Sequence, residues 1–179
     1  YDFALGGKGL DPSLPGGVSG TLLQAGQCFM VDMGGNFYGY MGDMSRVFSI
    51  GKLPEQAYAA HQTCLETQEE IVAMAKPGTV CEDMYNKAIE IVTKAGFADY
   101  FMGVDQKAKF IGHGIGLEIN EMPVLAPRMK QELEPGMVFA LEPKIVLPGI
   151  GPVGIENSWA VTTDGLEKLT LCKEEIIEL

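Results

Sequence analysis

Short strand-like runs and longer helical runs alternate along this chain and mark out its elements. Gln27 to Met33 predicts a strand, and Tyr40 to Ile50 predicts its hairpin partner. Pro54 suits the first turn of a helix. Behind it Tyr58, His61, Leu65, Ile71 and Val72 recur at roughly helical spacing until Lys76-Pro77-Gly78 stops the run, which predicts a helix over 54–76. Thr79-Val80-Cys81-Glu82 reads as a capping box. It opens a second helix over 79–95, with Met84, Tyr85, Ala88, Ile89, Val92 and Ala95 on one face and Gly96 at its end. Strands are expected around Val138–Val146 and Gly154–Thr162, and Asp164-Gly165 turns into a last short strand near Leu169. Residues 1–27 are rich in glycine and proline and read as loops and short strands. Strands, two consecutive helices and strands again indicate an α+β fold. The hairpins at 27–50 and 137–162 are expected to share one curved antiparallel sheet, with the helices on its outer side.

Two pairs of carboxylates sit symmetrically about the turns of these hairpins. With Phe37-Tyr38 as a two-residue turn, Asp32 falls opposite Asp43; with the second hairpin centred on Gly149, Glu142 falls opposite Glu156. Directly opposed Cβ atoms lie roughly 4.5–5.5 Å apart, where like charges destabilise a sheet. A divalent cation between them, or two, removes the conflict. His113 adds an imidazole inside Gly112-His113-Gly114-Ile115-Gly116, where the alternating glycines let the backbone approach other groups closely. One imidazole and four carboxylates suit Mn, Co, Fe or Zn. Two divalent ions would balance the four carboxylate charges. Glycines 112, 114 and 116 do not make the G-x-G-x-x-G fingerprint of a dinucleotide site.

Composition narrows the function classes. The chain has 179 residues, 46% of them apolar, enough for one domain with a sizeable core. A net charge of −11 argues against nucleic acid as a partner. No apolar run approaches the roughly 20 residues that span a bilayer, so no membrane partner is expected. Cys28, Cys64, Cys81 and Cys172 are scattered without a C-x-x-C and read as reduced, buried thiols in a cytoplasmic setting.

The order Asp32, Asp43, His113, Glu142, Glu156, with spacings of 11, 70, 29 and 14, resembles the pita-bread metallopeptidases. The matching segments are Val31-Asp32-Met33-Gly34, Gly39 to Arg46, Gly112 to Leu117, Leu141-Glu142-Pro143 and Gly154 to Asn157, within a likeness running from about Leu14 to Thr170. The spacing is most similar to the prolidase and X-Pro aminopeptidase branch. The resemblance implies a pita-bread fold and a binuclear site with Asp32, Asp43, His113, Glu142 and Glu156 as metal ligands. It also implies a small peptide substrate and a homodimer. It further implies that a helix pair of the first half precedes residue 1, so that 1–179 is one N-terminally truncated domain of catalytic type.

Three positions depart from the branch. A histidine usual before the first aspartate is replaced by Gly16, a second histidine seven residues after His113 by Asn120, and an arginine two residues before the last glutamate by Gly154. Two function classes follow. One is a binuclear metallopeptidase cleaving next to proline, with Glu142 as ligand and proton shuttle and Asn120 taking part of the oxyanion-stabilising role. The other is a relative that keeps the metal cage but performs other chemistry, or only binds. The bland readings are a structural His61, a packing Tyr40, solvated Lys109 and Arg128, and an Asp43–Arg46 ion pair.

Overall fold

The computed structural model describes residues 22–105 and 107–179; Gly16 lies outside them. Among these residues, β1 (Cys28–Phe37) and β2 (Tyr40–Ser49) form the first hairpin. Helices α1 (Glu55–Met74) and α2 (Cys81–Lys94) follow, then a 3-10 turn at Ala98–Tyr100. Eight short strands complete the order: β3 (Gly112–Gly114), β4 (Glu121–Val124), β5 (Val138–Leu141), β6 (Lys144–Leu147), β7 (Gly151–Gly154), β8 (Asn157–Val161), β9 (Leu166–Lys168) and β10 (Ile177–Glu178).

The strands are hydrogen-bonded in three ladders, β1-β2-β10, β4-β3-β5-β8-β9 and β6-β7, rather than in one sheet. Their pairing is antiparallel except that β10 joins β2 in parallel. The ladders abut: the Cys28 amide donates to the Ile150 carbonyl at 2.9 Å, and the Ser158 hydroxyl donates to the Asp43 carbonyl at 3.0 Å. Strands of two to four residues are too short for an alternation to show, which is why the sequence pattern does not predict β3, β4 and β10.

Both helices form where their spacing predicts. The buried residues of α1 are Ala57, Ala60, His61, Thr63, Cys64, Thr67, Gln68 and Ile71. These are mostly small or polar residues, and they let the helix lie close against β6 and β7. Met84, Ala88 and Val92 of α2 join the same core as Phe139, Leu141 and Ile145. The capping box at Thr79 is not formed. Val80 is the cap residue, with no side-chain cap bond. Thr79 Oγ1 instead accepts from the Lys76 amide, and the Glu82 carboxylate accepts from the Arg128 amide. The free amides of Cys81 and Glu82 reach the carbonyls of Gln131 and Met129, so a neighbouring segment caps the helix in place of its own side chains.

The first turn is Tyr38-Gly39, one residue later than expected, because Phe37 pairs with Tyr40. Both turn residues have positive φ, 52° and 89°, as a type I′ hairpin turn requires. Glycine adopts this freely, whereas an aromatic residue there is strained. Tyr38 is exposed, and an edge-on contact with the equally exposed Phe37 ring is what it sets against that strain. Tyr38→Asn is expected to stabilise the fold by about 1 kcal/mol. That should raise the thermal midpoint by roughly 2–4 °C, measurable by calorimetry.

Candidate metal centre

The late turn moves the first hairpin's register by two residues. Asp32 lies opposite Ser45, and Asp43 lies opposite Gly34, so the two aspartates are not directly opposed. A shift of one would have turned one of them away; a shift of two keeps both on the same face as diagonal neighbours. In the second hairpin the register is the expected one. Leu141 pairs with Asn157 and Lys144 with Gly154, so Glu142 and Glu156 face each other across the break between the two ladders.

His113 is the middle residue of β3, held between β4 and β5. A Cβ on Gly112 would run into the Ala140 carbonyl, and one on Gly114 into the carbonyls of Glu121 and Met122. Glycine on both sides is what lets three strands close around the imidazole. Nδ1 of His113 lies 3.1 Å from the Gly114 carbonyl. Assigning a proton to Nδ1 satisfies that carbonyl and leaves Nε2 as the nitrogen that faces the carboxylates. Nε2 sits 3.4 Å from Glu142 Oε1 and 3.7 Å from Asp43 Oδ2.

Lys144 stands among these groups and was missed by the sequence reading. Its Nζ donates to Glu142 Oε2 at 2.6 Å and lies 3.5 Å from Glu156 Oε2 and 3.6 Å from Asp32 Oδ2. The signal was available: residues two apart on a strand share a face, so Lys144 had to project with Glu142. The same rule finds Ser45 beside Asp43. Its hydroxyl donates to Glu156 Oε2.

The support around the carboxylates is polar and buried. Arg46 does not pair with Asp43. Its guanidinium donates to the carbonyls of Ser45, Glu156, Cys172 and Lys173 and to Asn157 Oδ1, at 2.6–3.3 Å. From α1, Gln68 donates to the Leu141 carbonyl at 3.0 Å and accepts from Asn157 at 2.6 Å. One helix residue therefore fixes the neighbours of both glutamates. His61 is structural, as read, with its ring Nε2 2.7 Å from the Glu174 carbonyl.

Burial sets the titration of the cluster. It pushes Asp43 up to about 6, with the Asp32 charge adding and His113 opposing. Burial pushes Glu156 up to about 8; Lys144 pulls it back, while the other carboxylates add to the rise. On Glu142 burial acts in the same sense, but the Lys144 charge and the hydrogen bonds from His113 and Lys144 outweigh it and hold the carboxyl below its usual range. Burial works against a charged His113 and a charged Lys144, yet the neighbouring carboxylates hold both above their ordinary values. Lys144 is therefore an ammonium.

Asp43, His113 and Glu156 offer ligand atoms that all lie within 4.8 Å of one another. Two carboxylates and an imidazole whose Nε2 faces inward, and would give up its proton to a metal, fit a divalent ion of the Mn, Fe, Co or Zn type. Glu142 lies against this group through His113, and Asp32 stands at its mouth with 59% of its side chain exposed. Asn120 occupies the exposed bend before β4. The preceding Ile119 reaches over Gly34, the partner of Asp43, so this bend forms part of the rim. Tyr40, Lys109 and Arg128 are exposed, and so is Cys172, whereas the other three cysteines are buried; all four are free thiols.

Residues 4–163 match metallopeptidase family M24. A curated Xaa-Pro dipeptidase of Pyrococcus furiosus is 32% identical over 166 residues, covering 92% of this chain and 46% of that protein. The solved X-Pro aminopeptidase from Thermotoga maritima MSB8 superposes with a TM-score of 0.80 at 30% identity, over 87% of this chain and 43% of that one. The prolidase from Pyrococcus horikoshii OT3 does so with a TM-score of 0.81 at 32% identity, over 94% of this chain and 47% of that one. The antiparallel ladders and paired helices are thus those of the pita-bread fold. The chain spans about half the length of the curated relatives it matches.

Proposed function

Because the chain belongs to metallopeptidase family M24, we propose that it carries, in one catalytic-type domain, the site of a divalent-metal-dependent exopeptidase cleaving a peptide bond next to proline. The observation that carries this reading is the convergence of Asp43, His113 and Glu156 on one point. A divalent ion held there would polarise a scissile carbonyl and lower the pKa of water. The chain's own groups supply the rest. Glu142, ionised and buried beside His113, can take a proton from the attacking water and pass it to the departing amine. Lys144 fixes its orientation through the 2.6 Å bond. Asn120, on the rim, can donate an N–H to the developing oxyanion but cannot give up a proton. The five-residue set Asp32, Asp43, His113, Glu142 and Glu156 has the charge for two ions once Lys144 withdraws, and for one while it stays. Four free cysteines suit a cytoplasmic protein. A homodimer acting on small peptides completes the reading on resemblance.

Incubating the intact protein with an Xaa-Pro dipeptide and an Xaa-Pro tripeptide, with Mn(II) or Co(II) present, tests it. Slow cleavage is expected, since a positioned general acid or base is worth about 10²–10⁴-fold. Asn120→His should accelerate it without changing metal content. No cleavage by either protein would favour the second reading, a retained metal cage turned to other chemistry. The ammonium of Lys144 inside the carboxylate cluster already speaks for that reading.

A further inference from the structure

We propose that the Lys144 ammonium permanently occupies one of the two cation places in this carboxylate cluster, so that the protein holds a single divalent ion on Asp43, His113 and Glu156. The inference rests on the metal-dependent reading above and sets its stoichiometry.

The anionic groups divide into two sets. Asp32, Glu142 and Glu156 surround Nζ of Lys144 at 2.6–3.6 Å. Asp43, His113 and Glu156 bring their ligand atoms within 4.8 Å of one another. Only Glu156 belongs to both. Two cation places sharing one carboxylate is the layout of a two-ion site, and here one of them is filled by nitrogen. A second metal ion would need Glu142 Oε2 and Glu156 Oε2, the oxygens that Lys144 engages.

Retraction of the lysine is blocked by its surroundings. Its side chain is only 6% exposed. Its amide lies 3.4 Å from Met102 Sδ, and its carbonyl accepts the Met102 amide at 2.8 Å, so its backbone is fixed. Across the ladder stands Gly154 with φ +151°. A Cβ at Gly154 would lie 2.8 Å from Lys144 Cα and 3.2 Å from its Cγ. The absent side chain on one strand leaves the room that the lysine stem uses on the other. Withdrawing the ammonium would also leave Glu142 and Glu156 without the cation they share, a costly state in a buried site. With the ammonium and one dication present, the four carboxylates retain a single net negative charge.

The test is a count of ions. The intact protein, Lys144→Met and Lys144→Gln are equilibrated with Mn(II) and freed of excess. Bound metal is measured by mass spectrometry, and electron paramagnetic resonance reports whether the ions are exchange-coupled. One uncoupled Mn(II) per parent chain is expected, and two coupled ions in each Lys144 variant. Two coupled ions in the parent would overturn the inference and leave the metal-dependent reading standing. One ion in a folded Lys144 variant would also overturn it, since the ammonium would not then be what excludes the second. No ion in any of the three would overturn both. If neither variant folds, the parent count decides alone.

Discussion

Glu156→Gln is expected to strip the protein of its divalent ion, while Glu142→Gln keeps the ion and loses turnover. Glu156 is the carboxylate common to both cation sets. It is almost fully buried and is held by Ser45 and Lys144. A neutral amide there removes an anionic ligand and turns an N–H toward the cation, so metal should be lost on desalting and any turnover with it. Glu142 touches Lys144 and His113 but is not one of the three residues whose ligand atoms converge. Replacing it by glutamine keeps the shape and removes the capacity to carry a proton, while Lys144 keeps Asp32 and Glu156 as counter-charges. Cleavage of the Xaa-Pro peptide should fall by about 10²–10⁴-fold at unchanged metal content. Metal analysis and kcat on the same samples check both halves. Equal loss of metal in the two variants would make Glu142 a primary ligand and would contradict the expected split between metal binding and turnover.

Stripped of metal by a chelator, the protein is expected to become less stable as pH rises from 6.5 to 8.5. Glu156 has its folded pKa raised to about 8, so the native state holds a proton that the unfolded chain has already released. That contribution to stability declines as pH climbs toward 8. His113, also raised in the fold, contributes below its ordinary value near 6.5 and loses that contribution as pH passes its folded value. Asp43, raised to about 6, adds the same trend at the acidic edge of this window. Glu142 is depressed, so its contribution is lost only on acidification below about 4.5. His61 is also depressed, and its effect ends near 6.5. Each unit of displaced pKa corresponds to about 1.4 kcal/mol. A fall of several degrees in the thermal midpoint is therefore expected. With Mn(II) restored the trend should vanish, because the ion replaces the protons that the buried carboxylates otherwise keep. A chelated protein more stable at pH 8.5 than at 6.5 would contradict this account.

Much of this was legible in the sequence because hairpin arithmetic is strict. The turn at Gly149 placed Glu142 opposite Glu156, and the ladder registers on either side of that break agree. The first hairpin was read two residues out of register because Tyr38 enters a left-handed turn that its side chain disfavours, and no local preference announces such a residue. The error was harmless to the site, since an even shift preserves the face. Arg46, read as a partner of Asp43, and Gln68 have roles hidden from the sequence for another reason. Their partners are carbonyls and an asparagine far along the chain, contacts that only tertiary structure creates. The capping box failed on the same ground, because a distant backbone segment satisfied the helix amides first.

Arg46 and its acceptors also fix an order in time. Cys172, Lys173 and Glu174 accept bonds from Arg46, His61 and Asn157, and β10 closes the open edge of β2. A ribosome makes these residues after every other element described. Until they emerge, Arg46 lacks two acceptors and Asn157 lacks one, although Ser45, Arg46 and Ser158 already tie the strands bearing Asp43 and Glu156 together. The outer hydrogen-bonded support of the carboxylates thus closes only when synthesis has run past residue 174.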